Sequence, residues 1–398
     1  MRILMLTPYL PYPLWSGGQI RTFNLLKNLA EKHQITLFSF IRQDSEKQNI
    51  PILKKYCDEV KVFVKRPPWS ITSLLLSGIT YYPLVVCMYL NNELKKNIAE
   101  AIDRKHFDLI HAETFYVMPN IPQYDIPIFL AEQTIEYLVY DHHTQNVNFM
   151  PKKMLMDWDV FKIRFWEKRF WKKAEKVIAM SESDKTLMKK MLPDLSVDIV
   201  PNGVDTQFFS FNKKHSPHKV KTVLFVGNFK WLQNREAAAF LLDKVWPVIF
   251  KKLGDNVRLW IVGKHPPPQI RKKTPKNVTV SDDIDDIRYA YYRSDLLLAP
   301  IYGPGGTRYK ILESMAAGVP VVTTSTGIEG LSAVNFRHAV ISDSARGLAD
   351  SSIKVLTDPK LYNRLAENGR HLVEQDYSWK KIAGKLDLIY QKAVAGRI

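Results

Sequence analysis

The sequence is short of cysteine and of acid. Two cysteines, Cys57 and Cys87, stand in 398 residues. That excludes a disulfide framework and points to a reducing compartment. There is no Cys/His metal spacing, no Gly-x-Ser-x-Gly elbow and no Walker A loop. Asp and Glu number 40 against 57 Lys and Arg, a formal net charge of +17. The excess favours acidic partners: nucleotide phosphates, an anionic membrane surface or nucleic acid. Met1 to Tyr9 is too short an apolar run for a signal peptide and reads as a first strand. One uncharged stretch, Ile71 to Leu90, approaches bilayer length at ~20 residues. Gly78, Pro83 and several hydroxyl residues interrupt it. It reads as a mobile apolar loop or a pair of short helices rather than a span.

What is present is a folded chain, 46% hydrophobic, long enough for two domains. Arg2–Thr7 is an unbroken apolar run, as in a buried parallel strand. Gly17-Gly18 precedes a helix with Ile20, Phe23, Leu26 and Leu29 at helical spacing. Strands follow at Ile35–Phe40, Val60–Val64, Phe107–His111 and Pro127–Ala131. The last two deliver His111, Glu113, Gln133 and Glu136 to carboxyl ends of strands, where open α/β sheets bind ligands. A polar stretch, Phe211 to Lys221, reads as the inter-domain linker. The second half repeats the alternation, from Thr222–Gly227 through Val257–Gly263 to Leu296–Ala299. A helix spans about Asn234 to Lys252, and the last runs from Ser378 to about Ala395. The fold class is therefore α/β, with two Rossmann-like domains and the chemistry expected in a cleft between them.

The stretch Ala299–Thr324 organises the second half. Gly303, Gly305 and Gly306 allow a tight loop, Thr307 is a plausible N-cap, and Ile311, Leu312 and Met315 give the helix its buried stripe. Gly318 ends it. Such a helix start suits an anion. Arg308 and Lys310 add cations where the helix dipole disfavours them, which makes sense beside a docked phosphate. Lys310 and Glu313 lie on one face, a cation for phosphate and a carboxylate for sugar hydroxyls. The plain alternative is a surface helix with solvated charges. Asp282, Asp283, Asp285 and Asp286 sit at a helix start, which explains them better than a metal site does. Lys152 to Lys176 carries Trp158, Phe161, Phe165, Trp166, Phe170 and Trp171 among many basic residues. It reads first as a core helix with a solvated basic face, and second as a contact with a membrane interface.

These pieces resemble, in order and spacing, the GT-B glycosyltransferases of glycosyltransferase family 4. The resemblance runs through Thr7-Pro8 with Gly17-Gly18, Asp108–His111, Met180–Ser183, Pro201–Asp205, Phe225–Gly227, Ile261–Gly263, Asp286–Arg288 and Leu312–Val322. It implies a retaining enzyme that moves a sugar from a nucleotide-diphosphate donor to an acceptor hydroxyl, with no metal and no further cofactor. It implies domains at 1–206 and 207–376, and a final helix, 377–398, returning to the first. Carried over by position, Glu313 holds the ribose hydroxyls, while Gly306, Thr307 and Arg308 lie by the diphosphate with Gly17, Gly18 and Gly227. The chain departs from the family at three places. Gly305 stands where a first Glu is expected. Asn228 and Gln233 or Asn234 stand where a phosphate-binding Arg and Lys are expected. Gln133 stands where the active-site His is expected. The chain is similar to a branch with a Gly-rich Thr-Arg-x-Lys-x-x-Glu motif, in which Arg308 and Lys310, helped by Lys230, replace the lost cations. The catalytic set is then Glu313, Lys310, Arg308 and Gln133, with His111 and Glu136 on the acceptor side.

The leading expectation is a cytoplasmic enzyme, peripheral on the inner face of the membrane, that glycosylates a lipid-linked acceptor for a surface polysaccharide or glycoconjugate. Alternatives are a glycosyltransferase acting on nucleic acid or protein, and a non-catalytic subunit that binds a nucleotide sugar. Nucleic acid is the less expected partner.

Overall fold

The computed structural model describes residues 1–67, 70–211, 219–272, 275–282, 284–303 and 309–396. Two compact units divide it: residues 1–201 with 382–398, and residues 202–381.

In the first unit the chain runs β1 (Arg2–Thr7), α1 (Gly17–Leu29), β2 (Gln34–Ile41), β3 (Glu59–Val64), α2 (Ile71–Ile79), α3 (Asn92–Arg104), β4 (Leu109–Glu113) and β5 (Ile128–Ala131). It continues through α4 (Glu136–Gln145), α5 (Met150–Lys173), β6 (Lys176–Ala179), α6 (Glu182–Met191) and β7 (Val197–Ile199). All seven strands are parallel, in the order β3-β2-β1-β4-β5-β6-β7. The strand order reverses between β1 and β4, so the loops after those strands part there and leave room for a ligand. Leu4, Leu6, Phe38, Ile110 and Leu130 build the core, buried because both faces of a parallel sheet are covered.

The second unit contains β8 (Lys221–Val226), α7 (Leu232–Phe240), β9 (Val257–Val262), β10 (Val278–Ser281), α8 (Ile287–Tyr292), β11 (Leu296–Ala299), α9 (Tyr309–Ala317), β12 (Val321–Thr323) and β13 (Val340–Ile341). Helices α10 (Ala345–Thr357), α11 (Pro359–Asp376) and α12 (Trp379–Ala395) close the chain. Its sheet is parallel too, in the order β10-β9-β8-β11-β12-β13, with the reversal between β8 and β11. Gly318 takes φ +78 and ends α9, a conformation that costs an L side chain steric strain.

Several expectations shift. The units divide after Pro201 rather than at 206, because Val204 N–H donates to the Tyr377 carbonyl at 2.7 Å and Arg370 holds the Thr206 carbonyl at 2.9 Å. The stretch 211–221, read as a linker, therefore belongs to the second unit, and 212–218 lies outside the described residues. The later boundary moves to 381, since Tyr377 accepts from Ser332 N at 2.7 Å and Trp379 packs under Gly203. From Ile382 onward α12 belongs to the first unit, where Leu386 and Tyr390 are fully buried and Asp387 pairs with Lys32 and His33. The single helix expected over 234–252 is interrupted by a π-turn at Leu241–Val245 before a last segment, Trp246–Leu253. Pro247 has no N–H to continue the ladder there.

The apolar stretch from Ile71 forms two short helices, α2 and Leu84–Cys87, and among the described residues no helix is long and apolar enough to cross a membrane. Helix α5 departs from the core reading. Ile163, Phe170 and Trp171 are buried, but Trp158, Phe161 and Phe165 are exposed. Its apolar residues wrap too far around the helix for one core to cover them all.

Candidate functional site

In the second unit the described ones among the predicted residues, Gly227, Lys230, Lys310 and Glu313, lie in the segments that follow β8 and β11. Helix α9 carries Lys310 and Glu313 one turn apart. Glu313 is half-buried, and the Tyr291 hydroxyl of α8 donates to its Oε2 at 2.8 Å. Burial raises its carboxyl to about 7, against the hydrogen bond from Tyr291 and the charge of Lys310. A carboxyl poised near neutrality can switch to a carboxylate when a ligand offers hydroxyl donors.

Lys310 Nζ reaches back across the sheet edge to Asn234 Oδ1 at 2.7 Å and sits 4.9 Å above the Phe225 ring. Asn234 in turn donates to the Asn228 carbonyl at 2.8 Å. So the ammonium group stands beside Asn234, which is itself tied to Asn228. Gly227 makes this possible, because a Cβ there would lie 2.9 Å from Asn234 Cγ. Gly303 has the same role in the next loop, where a Cβ would meet Gln233 Cγ at 2.8 Å. Lys230 is exposed in the turn after β8, and its backbone N–H bonds Asn228 Oδ1. Gly305, Gly306, Thr307 and Arg308 lie outside the described residues. Of the acidic cluster, Asp286 does what a helix start requires. Asp286 caps α8 and pairs with Arg288, and Asp282 pairs with Arg271, while Asp283 is outside the described residues.

In the first unit a buried polar relay joins the ends of β1, β4 and β5. Ser16 caps α1, and Gly18 packs so closely that a Cβ would lie 2.3 Å from the Tyr9 hydroxyl and 2.6 Å from Gln133 Oε1. Gly17 opens the same helix. Gln133 Nε2 donates to Tyr9 Oη at 2.5 Å and to Glu113 Oε2 at 2.7 Å. The other Glu113 oxygen lies 3.1 Å from His111 Nε2, and His111 Nδ1 lies 2.6 Å from the Tyr390 hydroxyl of α12. Burial acts to raise the Glu113 carboxyl, but His111, Arg21 and Gln133 outweigh it and hold it below the usual range. Burial pushes the Tyr9 phenol up, with Glu113 adding to it.

The structure thus brings Gly18, Gln133 and His111 together. It places His111 in the interior, fully buried between Glu113 and Tyr390 of α12. Glu136 is elsewhere, at the start of α4. Its Oε1 accepts from Thr134 at 2.9 Å, and its N–H donates to Glu167 at 2.7 Å. Burial, with repulsion from Glu136, pushes the Glu167 carboxyl well above its usual range.

Sequence reasoning missed Tyr291 and Tyr390, whose partners are distant in the chain. Tyr9 had a visible signal, standing directly after the first strand and before the Gly-Gly turn. Among the described residues no group of three or more His, Cys, Asp or Glu is placed to hold a metal ion.

Comparison with known proteins gives two family matches. Residues 15–208 match the model for glycosyltransferase family 4, and residues 220–358 match the model for glycosyl transferases group 1. An uncharacterised 44.6 kDa protein in the cps region of Klebsiella pneumoniae is 22% identical over 396 residues, 96% of this chain and 97% of that protein. The phosphatidyl-myo-inositol mannosyltransferase of Mycobacterium leprae is 28% identical over 223 residues, 54% of this chain and 58% of that protein. Among solved structures, Anabaena Alr3699/HepE in complex with UDP-glucose superposes with a TM-score of 0.65 at 16% identity, covering 98% of this chain and 100% of the other.

Proposed function

The chain belongs to glycosyltransferase family 4 and has the GT-B fold, and from that premise we propose that it is a retaining transferase using a nucleotide-diphosphate sugar. The bond from the anomeric carbon to the diphosphate breaks, and one from the same carbon to an acceptor oxygen forms on the same face of the ring. The acceptor hydroxyl passes its proton to the departing diphosphate oxygen, and the nucleoside diphosphate leaves. Glu313 takes the ribose hydroxyls as a carboxylate. Lys310 neutralises the diphosphate as charge builds on it. In this reading the positive charge needed by the leaving group comes from side chains, so no metal and no further cofactor is called for.

One observation carries the reading: Lys310 Nζ sits 2.7 Å from Asn234 Oδ1. The resemblance expects a cation at Gln233 or Asn234, and in this proposal Lys310 brings one to that place from another helix. A solvated surface lysine would have no reason to lie over the buried Phe225 ring near the carboxyl end of a central strand. A UDP-glucose complex of a structural relative and a mannosyltransferase relative support a nucleotide-sugar donor.

The acceptor in this proposal is a lipid-linked glycan at the inner face of the cytoplasmic membrane, in assembly of a surface polysaccharide. The relative from a cps region supports that setting. The test is nucleotide-sugar binding and turnover with Lys310→Ala. Loss of donor affinity and of transfer to a lipid extract is the expected result. Unchanged affinity and turnover would overturn the role given to Lys310.

A further inference from the structure

We propose that the exposed faces of α2 and α5 form one plate that docks on an anionic lipid bilayer. On α5, Met150, Met154, Trp158, Phe161 and Phe165 recur at spacings of four, four, three and four, so they share one face. All five are exposed, Met154 by 67% and Trp158 by 52%. On α2, Ile71, Leu75 and Ile79 share a face in the same way and are exposed too, Ile79 by 83%. Large apolar side chains scattered singly need no explanation, but a contiguous group does.

The two faces are contiguous because α2 is strapped to α5. Lys162 is buried within α5, and its Nζ donates to the Ser77 carbonyl at 3.0 Å, the Ser77 hydroxyl at 2.7 Å and the Tyr82 carbonyl at 3.1 Å. Trp166 Nε1 donates to the Tyr81 carbonyl at 2.8 Å, and Asp159 accepts from Leu84 N at 3.0 Å. The Tyr81 ring then bridges the faces, edge-on to Trp158 at 6.1 Å and to Phe165 at 5.2 Å. The chain has spent a buried lysine, with three hydrogen bonds and the Asp159 carboxylate at 3.2 Å, on holding an apolar surface open to solvent.

Charge selects the occupant. Helix α2 has no charged residue. Beyond Phe165 the same face of α5 continues as the half-buried Lys168 and the exposed Arg169 and Lys172. The exposed carboxylate on α5 is Asp157, because Asp159 is bonded to Lys162 and Glu167 is buried. An aromatic and aliphatic patch ending in cations suits the headgroup boundary of an anionic membrane. There Trp and Tyr sit at the interface and each cation meets lipid phosphate. The plate deepens the membrane-borne acceptor proposed above, but it stands on its own surface, so the two can fail separately.

The test is co-sedimentation of the full chain with vesicles of phosphatidylglycerol mixed with phosphatidylcholine, and with phosphatidylcholine alone. Three proteins are compared: wild type, Ile79→Ser with Trp158→Ser, and Lys168→Glu with Lys172→Glu. Nucleotide-sugar binding and thermal melting are measured on each. Wild type should bind the mixed vesicles, more weakly at high salt. Each double variant should lose at least about tenfold in partitioning while melting as wild type does. Failure of wild type to bind vesicles, or variants that bind as well as wild type, would overturn the plate. So would a wild-type dimer that the apolar variant turns into a monomer, which would make the surface a contact between two copies. Vesicle binding without affinity for any nucleotide sugar would leave the plate standing and sink the donor assignment instead.

Discussion

The raised carboxyl of Glu313 makes nucleotide-sugar affinity depend on pH. The group titrates at about 7 in the ligand-free protein because burial disfavours its charge. Ribose hydroxyls donate hydrogen bonds, so the carboxylate is the binding form and a proton competes with the ligand. With a pKa of about 7, roughly a tenth of the protein is in that form at about pH 6 and roughly nine-tenths at about pH 8. Affinity should therefore rise about tenfold across that interval and level off above it. The sugar nucleotide is the right probe, since its diester phosphates do not titrate in this range. Isothermal calorimetry across the interval, in wild type and Glu313→Gln, measures the effect. The Gln variant should bind weakly with a flat profile. A flat wild-type profile, or an unchanged slope in the Gln variant, would refute the reasoning. The same shift has a stability consequence of opposite sense. The native state holds the proton more tightly than the unfolded chain, whose Glu titrates at 4.5. This contribution is fully present below 4.5 and is lost as pH rises through about 7.

Lys310→Ala removes a charge-assisted contact to the diphosphate and should weaken donor binding about ten- to a hundredfold, measured by calorimetry. Asn234→Ala should lower affinity less, because it loosens the aim of the ammonium without removing it; an effect as large as that of Lys310→Ala would contradict this ordering. Tyr390→Phe strips the hydrogen bond from buried His111 and should cost about 1–2 kcal/mol in a urea denaturation midpoint while donor affinity stays unchanged. Gly18→Ala pushes a methyl against the Tyr9 hydroxyl and Gln133, and should cost about 1–3 kcal/mol; a neutral melting temperature would show that the relay yields freely.

The strands were legible because a parallel sheet buried on both faces writes nearly unbroken apolar runs, as in Arg2–Thr7 and Leu296–Ala299. The helix stop at Gly318 was legible for a local reason too. What was hidden is long-range. Nothing in the sequence pairs Tyr291 with Glu313, Tyr390 with His111 or Lys310 with Asn234, since the partners stand 22, 279 and 76 residues apart. His111 read as an acceptor-side residue because it ends a strand, and the covering helix that buries it arrives 279 residues later. Helix α5 misled in another way. Periodicity finds an apolar face but does not say which of two faces the core takes. The core took Ile163, Phe170 and Trp171 and left the Trp158 side exposed.

The central claim is transfer of a sugar from a nucleotide donor, and a donor panel tests it most directly. Purified protein would be incubated with a set of nucleotide sugars and a membrane lipid extract, then scored for nucleoside diphosphate release and for a glycosylated lipid. The account predicts release with one donor, dependent on lipid and abolished by Glu313→Ala. Tight binding of a donor with no turnover on any acceptor would contradict it and mark the chain as a binding subunit.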